Sequence, residues 1–320
     1  MKTIKIMNYI LPVVLLVLAA TPIAAQEMNN SLLAYSRMGV GARVIAMGEA
    51  GSTVTSDIVS GYWNPAGLTR MKDFALGTMV NLDMGYNRSH NYASFGNRFR
   101  FGALALSWVN ANVLDIDGYD ENENPTGTFS DSENNFTLSY ANSIGDFSFG
   151  FGPKFYLSTL EGESIYGYGV DFGAKYDINQ YLEIGAMARD LYGEFDSATV
   201  PYQISAGLAA YPLKGLTLAA DAKMEKDEDP YFCFGAEYWT SIGRDPEADS
   251  KLSVVSVSEQ SSWEETLSTL QTGLRLGYNR GRLSAGTGIK LRNFQLDYVF
   301  RYNNHEVFGN DHILSLILRF

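Results

Sequence analysis

From Phe74 onward the chain repeats one pattern: stretches of about 10 residues in which every second side chain is apolar or aromatic, the period of a strand with two unlike faces. In one stretch Tyr166, Tyr168, Val170, Phe172, Ala174 and Tyr176 alternate with Gly167, Gly169, Asp171, Gly173 and Lys175. In another, Phe294, Leu296, Tyr298, Phe300 and Tyr302 alternate with Gln295, Asp297, Val299 and Arg301. A soluble sandwich would turn the apolar row inward and a membrane barrel would turn it outward, so the period alone leaves both open. Fourteen such stretches are predicted, near 73–84, 89–97, 101–110, 134–143, 147–159, 165–177, 181–191, 200–211, 215–225, 231–240, 270–279, 282–290, 293–302 and 311–320. An even number is what a bacterial barrel needs if both chain ends face the periplasm. Tight links such as Ile144-Gly145-Asp146 and Asn179-Gln180 alternate with longer polar ones at 111–133, 160–164, 192–199 and 303–310, which parity assigns to the cell exterior. The segment 241–269 is long yet falls on the side of the short turns. It is expected either as a short helix over Trp263–Leu270 or, with Leu252–Val257 extending a strand, as a change to the count.

The first 25 residues break the pattern. Lys2 and Lys5 precede an apolar run from Ile10 to Ala20, and Ala24-Ala25 offers a cleavage site before Gln26, the layout of a secretory signal. The run is short for a membrane helix and contains Pro12. The domain plan is therefore a signal peptide at 1–25, a small segment at 26–72 and a β domain at 73–320. With 31 Gly, 20 Tyr, 18 Phe, 9 Pro and 3 His, the composition suits one repetitive β domain. Loss of Lys2 and Lys5 takes the formal charge from −12 to −14, which disfavours nucleic acid as a partner. A single cysteine, Cys233, leaves stability to the fold. No later stretch has the roughly 20 apolar residues of a membrane helix. A membrane form must then be a closed barrel, whose strands satisfy one another in lipid.

The segment Gly41 to Leu68 is neither leader nor strand. Small residues at Ala42, Ala46, Gly48, Ala50 and Gly51 suit a compact plug enclosed by a wall. Thr55, Ser56 and Asp57 can cap a helical turn over Ile58–Trp63, which Pro65 ends at Asn64. Gly67 lets the chain turn away. Gly41-x-Arg43, Met47-Gly48-x-Ala50, Asp57 and Tyr62-Trp63-Asn64-Pro65-Ala66-Gly67-Leu68 together resemble the N-terminal signature of the PorV/PorQ family of outer-membrane barrels. The Asn-Pro-Ala-Gly core is also similar to the hatch of the fatty acid transporter FadL. The resemblance implies an all-β, transmembrane antiparallel barrel of about 14 strands, FadL-like, in the outer membrane of a Gram-negative bacterium, with the segment 26–72 as its plug or hatch. It further implies a part in type IX secretion, with secretion components and the C-terminal domains of sorted cargo as partners beside outer-membrane lipid. The hatch core implies an alternative, a channel for small hydrophobic compounds. On either reading the plug motif is Arg43, Met47, Gly48, Asp57, Trp63, Asn64, Pro65 and Gly67.

Candidate chemistry is sparse. Asp115, Asp117 and Asp120 lie in an acidic loop whose oxygens suit calcium, but the glycine spacing of a helix-loop-helix site is absent. His90, His305 and His312 fall in separate elements without metal-ligand spacing, and Ser89 and His90 point to opposite faces of a strand, so no catalytic group, metal site or cofactor is expected. By the alternation Asp171, Lys175, Glu183, Arg189, Asp221, Lys223, Glu237 and Lys290 line the lumen; mixed signs suit pairing with each other and with the plug, or a polar passage. Gly150, Gly152, Gly167, Gly169, Gly173 and Gly207 smooth the same face. Pro153 interrupts its strand, as a bulge near the rim or as a lateral gap through which an apolar molecule leaves. The final stretch, Asp311 to Phe320, ends on an aromatic residue, which resembles the insertion signal of outer-membrane barrels.

Overall fold

The computed structural model describes residues 32–82, 84–241, 269–303 and 309–320. The expected leader, residues 26–31 of the expected plug, both readings of the 241–269 segment over 242–268, and His305 lie outside the described residues.

Alternating residues form strands β1 (Ala75–Asn81), β2 (Arg88–Phe99), β3 (Gly102–Tyr119), β4 (Pro125–Ile144), β5 (Phe147–Leu160), β6 (Glu163–Asn179), β7 (Leu182–Phe195), β8 (Ala198–Thr199), β9 (Gln203–Leu213), β10 (Leu216–Glu225), β11 (Tyr231–Ser241), β12 (Gln271–Asn279), β13 (Arg282–Leu291), β14 (Phe294–Arg301) and β15 (Asp311–Arg319). Every pairing is antiparallel. β1 pairs with β15 from Ala75↔Arg319 to Asn81↔Ile313, and β7 pairs with both β6 and β9. The two-residue β8 touches only the tip of β7, so fourteen strands close the wall and no long edge is left unpaired.

The outward rows are apolar. Leu138, Phe172 and Leu274 are 52%, 48% and 68% exposed, and comparable side chains recur around the whole circumference. An apolar belt of that extent is a surface for hydrocarbon, since soluble monomers keep such patches small. The inward rows are buried and largely polar. Among the described residues no helix is long and apolar enough to cross a membrane.

One end of the barrel carries short turns, together with the start of β1 and the end of β15. There Phe320 Nα–H donates to the Phe74 carbonyl (2.9 Å), the two rings lie 5.7 Å apart, and Ile317 points inward. The other end differs from expectation. Residues 111–133 are not a loop: β3 and β4 continue as a hairpin past their neighbours, pairing Ile116↔Phe129 and Gly118↔Gly127, with only Asp120–Asn124 left as a turn. The link expected at 160–164 is a tight turn at Glu161-Gly162.

The segment ahead of β1 fills the lumen. It forms a 3-10 turn at Ala34–Arg37, then α1 (Ala42–Ala46), α2 (Gly51–Val54), α3 (Ser60–Trp63) and a second 3-10 turn at Pro65–Arg70. Asp57 Oδ1 accepts from the Val59 N–H (3.0 Å) and fixes the approach to α3. α3 stops at an extended Asn64, as Pro65 requires, and Asn64 Oδ1 then caps the next turn by accepting from Ala66 N–H (3.1 Å).

Candidate functional site

The plug meets the wall in three ways, each set by residue type. Val40, Ile45, Ile58 and Leu68 are fully buried in one apolar cluster with Met79, Tyr92, Val109, Ile313 and Ile317, on the β15–β1–β2–β3 side. Burial of four such side chains from water contributes roughly 6–12 kcal/mol before ordering costs.

Elsewhere backbone touches backbone. Gly48 adopts φ +63° where a side chain would run into the main chain of Phe234 and Tyr278, and Gly277 lies directly over Gly48. Gly150 and Gly173 admit Asn64-Pro65-Ala66, and Gly185 and Gly207 admit Ser52.

Charges hold the remaining sides. Arg43 donates to Glu237 through Nε and Nη2 (2.8 and 2.6 Å). Glu237 also accepts from Arg275 (2.7 Å), which reaches Asp297 at 2.8 Å. Glu49 accepts from Arg301 (2.9 Å) and Asn279 (2.8 Å), while Lys223 donates to the Glu49 carbonyl (2.7 Å). Lys175 bridges the Thr55 carbonyl (2.8 Å) and Glu183 (2.7 Å). Asp221 accepts from Ser52 N–H (2.9 Å), and Arg189 donates to the Tyr62 carbonyl (2.9 Å) while lying over its ring. Asn64 Nδ2 reaches the carbonyls of Ser52, Ala174 and Ala186 at 2.6, 3.2 and 3.2 Å, tying α3 to β6 and β7.

All eight lumen candidates therefore face inward, and seven of them are buried. Lys290 is half-buried with its ammonium 3.8 Å from the centre of the Trp239 ring. Of the motif residues, Arg43, Gly48 and Asn64 make the contacts above, and Met47 packs over Gly235. Trp63 Nε1 donates to the Val40 carbonyl (2.8 Å), and Pro65 and Gly67 are buried at the turn. Two polar recesses of about 50 and 350 Å³ lie at opposite ends of the barrel and share no lining residue, the first beside Arg37, Glu49 and Arg280, the second beside Arg70, Asp177 and Glu183.

The β4–β5 ladder is interrupted at mid-height. β4 and β5 pair through Thr137↔Lys154 and again from Tyr140↔Phe151, but Leu138 and Ser139 do not pair with Pro153 and Gly152. The offset is the same on both sides of the break, so no residue is inserted. The bulge expected near the rim is absent there: Pro153 has no N–H to give, so the ladder lacks a hydrogen bond while the two strands stay in register and in contact. The bulge sits one strand pair away. Val170↔Tyr192 and Phe172↔Ala188 leave Arg189, Asp190 and Leu191 facing Asp171 alone, with Asp190 at φ +51°. This turns both Arg189 and Asp190 inward, where Lys154 joins Asp171 (2.8 Å) and Asp190 (3.1 Å) and Tyr156 donates to Asp190. Behind the open ladder stands the plug: Ser139 Oγ donates to the Gly61 carbonyl of α3 (3.3 Å).

The calcium reading does not survive. Asp115 sits at a register shift of β3, Asp117 is paired within that strand, and Asp120 spends Oδ1 on the N–H groups of Asn122 and Asn124 (2.8 Å each). The Asn124 side chain and those N–H groups hold Asp120 below the usual carboxylate range. Among the described residues no group of three or more His, Cys, Asp and Glu could hold a metal ion.

No family model matches the sequence, and no curated protein does. Solved structures do match in fold. The toluene transporter TbuX of Ralstonia pickettii is 13% identical with a TM-score of 0.58, covering 88% of this chain and 98% of that one. The toluene transporter TodX of Pseudomonas putida is 12% identical with a TM-score of 0.56, over 87% and 96%. A TodX mutant described as a monoaromatic hydrocarbon channel reaches a TM-score of 0.60 at 11% identity, over 88% and 99%. The chain has the fold of a FadL-like barrel.

Proposed function

We propose that the protein is a non-enzymatic conduit in the outer membrane of a Gram-negative bacterium, through which small hydrophobic compounds pass and leave sideways into the bilayer. The observation that carries this is the open β4–β5 ladder at Leu138-Ser139 and Gly152-Pro153, at mid-height in a wall whose lumen is filled by the plug. A straight passage would have to break the charge clamps, whereas the seam lies in the apolar belt and is backed by α3 and the 3-10 turn at Pro65–Arg70. The fold shared with transporters named for toluene supports the same reading. The hairpin end then faces outward and the short turns face the periplasm.

Purified protein in lipid vesicles should speed entry of a monoaromatic solute over protein-free vesicles. Replacing Pro153 with valine supplies an N–H that can rejoin the ladder. At about 1 kcal/mol per net hydrogen bond, restoring that one should lower the rate by roughly fivefold. An unchanged rate with Pro153→Val would remove the seam from the path.

A second reading rests on the ordered Gly41–Leu68 signature, which resembles PorV/PorQ barrels and would place the protein among type IX secretion components that receive cargo C-terminal domains. Under it, gene deletion strands sorted proteins in the periplasm. Under the conduit reading, secretion continues and growth on a hydrophobic nutrient is what fails.

A further inference from the structure

Resting on the lateral-conduit reading, we infer that the solute taken by the seam is an apolar molecule bearing a hydroxyl group rather than a bare hydrocarbon. The two faces of the seam differ in chemistry. Outside stand Phe136, Leu138, Phe151 and Phe155, all exposed on the belt. Inside stand Thr137 and Ser139, both buried, and they are weakly committed: Ser139 Oγ reaches the Gly61 carbonyl at 3.3 Å and Thr137 Oγ1 reaches Asn135 at 3.4 Å.

Beside them, Gly152 pairs with Asp171 on β6. Asp171 is fully buried. Its Oδ1 is taken by Lys154 (2.8 Å) and by the N–H of Asp190 (2.9 Å), and its Oδ2 has no hydrogen-bond partner. Gly61 and Gly152 carry no side chains, which lets plug and wall close on Ser139 and Thr137, an added carbon lying 3.3 Å from Ser139 Oγ at Gly61 and 3.1 Å from Thr137 at Gly152, so that a solute group enters only as the two part.

A hydrocarbon entering here would cover polar atoms and give them nothing. A hydroxyl can donate to a carboxylate or carbonyl oxygen and accept from a serine or threonine, so the same skeleton with one added oxygen keeps those groups satisfied. Sites that hydrogen-bond a hydroxyl reject the analogue lacking it far more strongly than apolar pockets separate homologues.

The test compares toluene with benzyl alcohol, which differ by that hydroxyl, for entry into vesicles with a lipopolysaccharide outer leaflet, each rate divided by its protein-free value. The intact protein should favour benzyl alcohol by about tenfold. Ser139→Ala with Thr137→Val should bring the ratio down toward one while the heat-modifiable mobility of the folded barrel is kept. A ratio at or below one for the intact protein overturns the inference and leaves the conduit standing, and so does a ratio unmoved by the double substitution. If neither solute enters faster than without protein, the conduit reading itself fails. The ratio for the intact protein needs no variant to fold.

Discussion

Replacing Gly48 with valine is expected to unseat the plug. The residue lies at φ +63°, where a β-branched side chain is strained by about 1–3 kcal/mol even in open space. Space is not open: the added carbon would meet the Phe234 carbonyl and both polar backbone atoms of Tyr278, none of which can rotate away. Phe234 and Tyr278 are paired across β11 and β12, so the wall resists and the plug has to move. In planar bilayers the Gly48→Val protein should show stepwise ion conductance that the parent lacks, with the barrel still folded. A variant as silent as the parent would mean that the lumen is closed by something other than this contact.

The second large effect concerns the clamp that Arg43 of α1 makes with the same two strands, through Glu237 of β11 and Arg275 of β12. Glu237→Ala leaves Arg43 and Arg275 buried without their shared carboxylate, and removal of one partner from a buried pair costs about 3–5 kcal/mol. Denaturant unfolding of the refolded barrel should register that loss. The companion variant Arg43→Met, Glu237→Leu, Arg275→Met, Asp297→Leu should recover most of it, because the network as a whole offsets its own desolvation and the destabilisation comes from the charge left unpaired. If the quadruple variant proves no more stable than Glu237→Ala, the clamp contributes more than this balance allows.

The barrel was legible because lipid and plug impose one rule on every strand: apolar out, polar or small in. That rule places Asp171, Lys175, Asp221 and Glu237 correctly from period alone. It fails where its cause is missing. Above the belt both faces of the β3–β4 hairpin meet water, alternation vanishes, and residues 111–133 read as a polar loop with acidic residues at Asp115, Asp117 and Asp120, which is why a calcium site is suggested there.

The rule fails again where two extra residues are inserted. Arg189 and Asp190 are neighbours in sequence and both point inward, which no period of two predicts, and Lys154, Tyr156 and Asp171 gather around them. Arg275, Asp297 and Arg301 obey the alternation, but their importance comes from which plug residue reaches them, a tertiary fact. Glu49 carried no signal at all: it is one acidic residue in a segment of small ones, and only the folded plug sets it between Arg301 and Asn279. Pro153 was legible as an interruption, and its form was not, since a missing N–H can be met by a bulge or by an open ladder.

The lateral exit is tested most directly by closing it. An added carbon on Gly152 would lie 3.2 Å from Ser139 Oγ, near enough for cysteines at the two positions to reach each other across the seam. In the Ser139→Cys, Gly152→Cys protein, solute entry into vesicles should be lost on oxidation and return on reduction, with buried Cys233 unreactive throughout. Entry at the same rate with the cross-link complete would contradict the account.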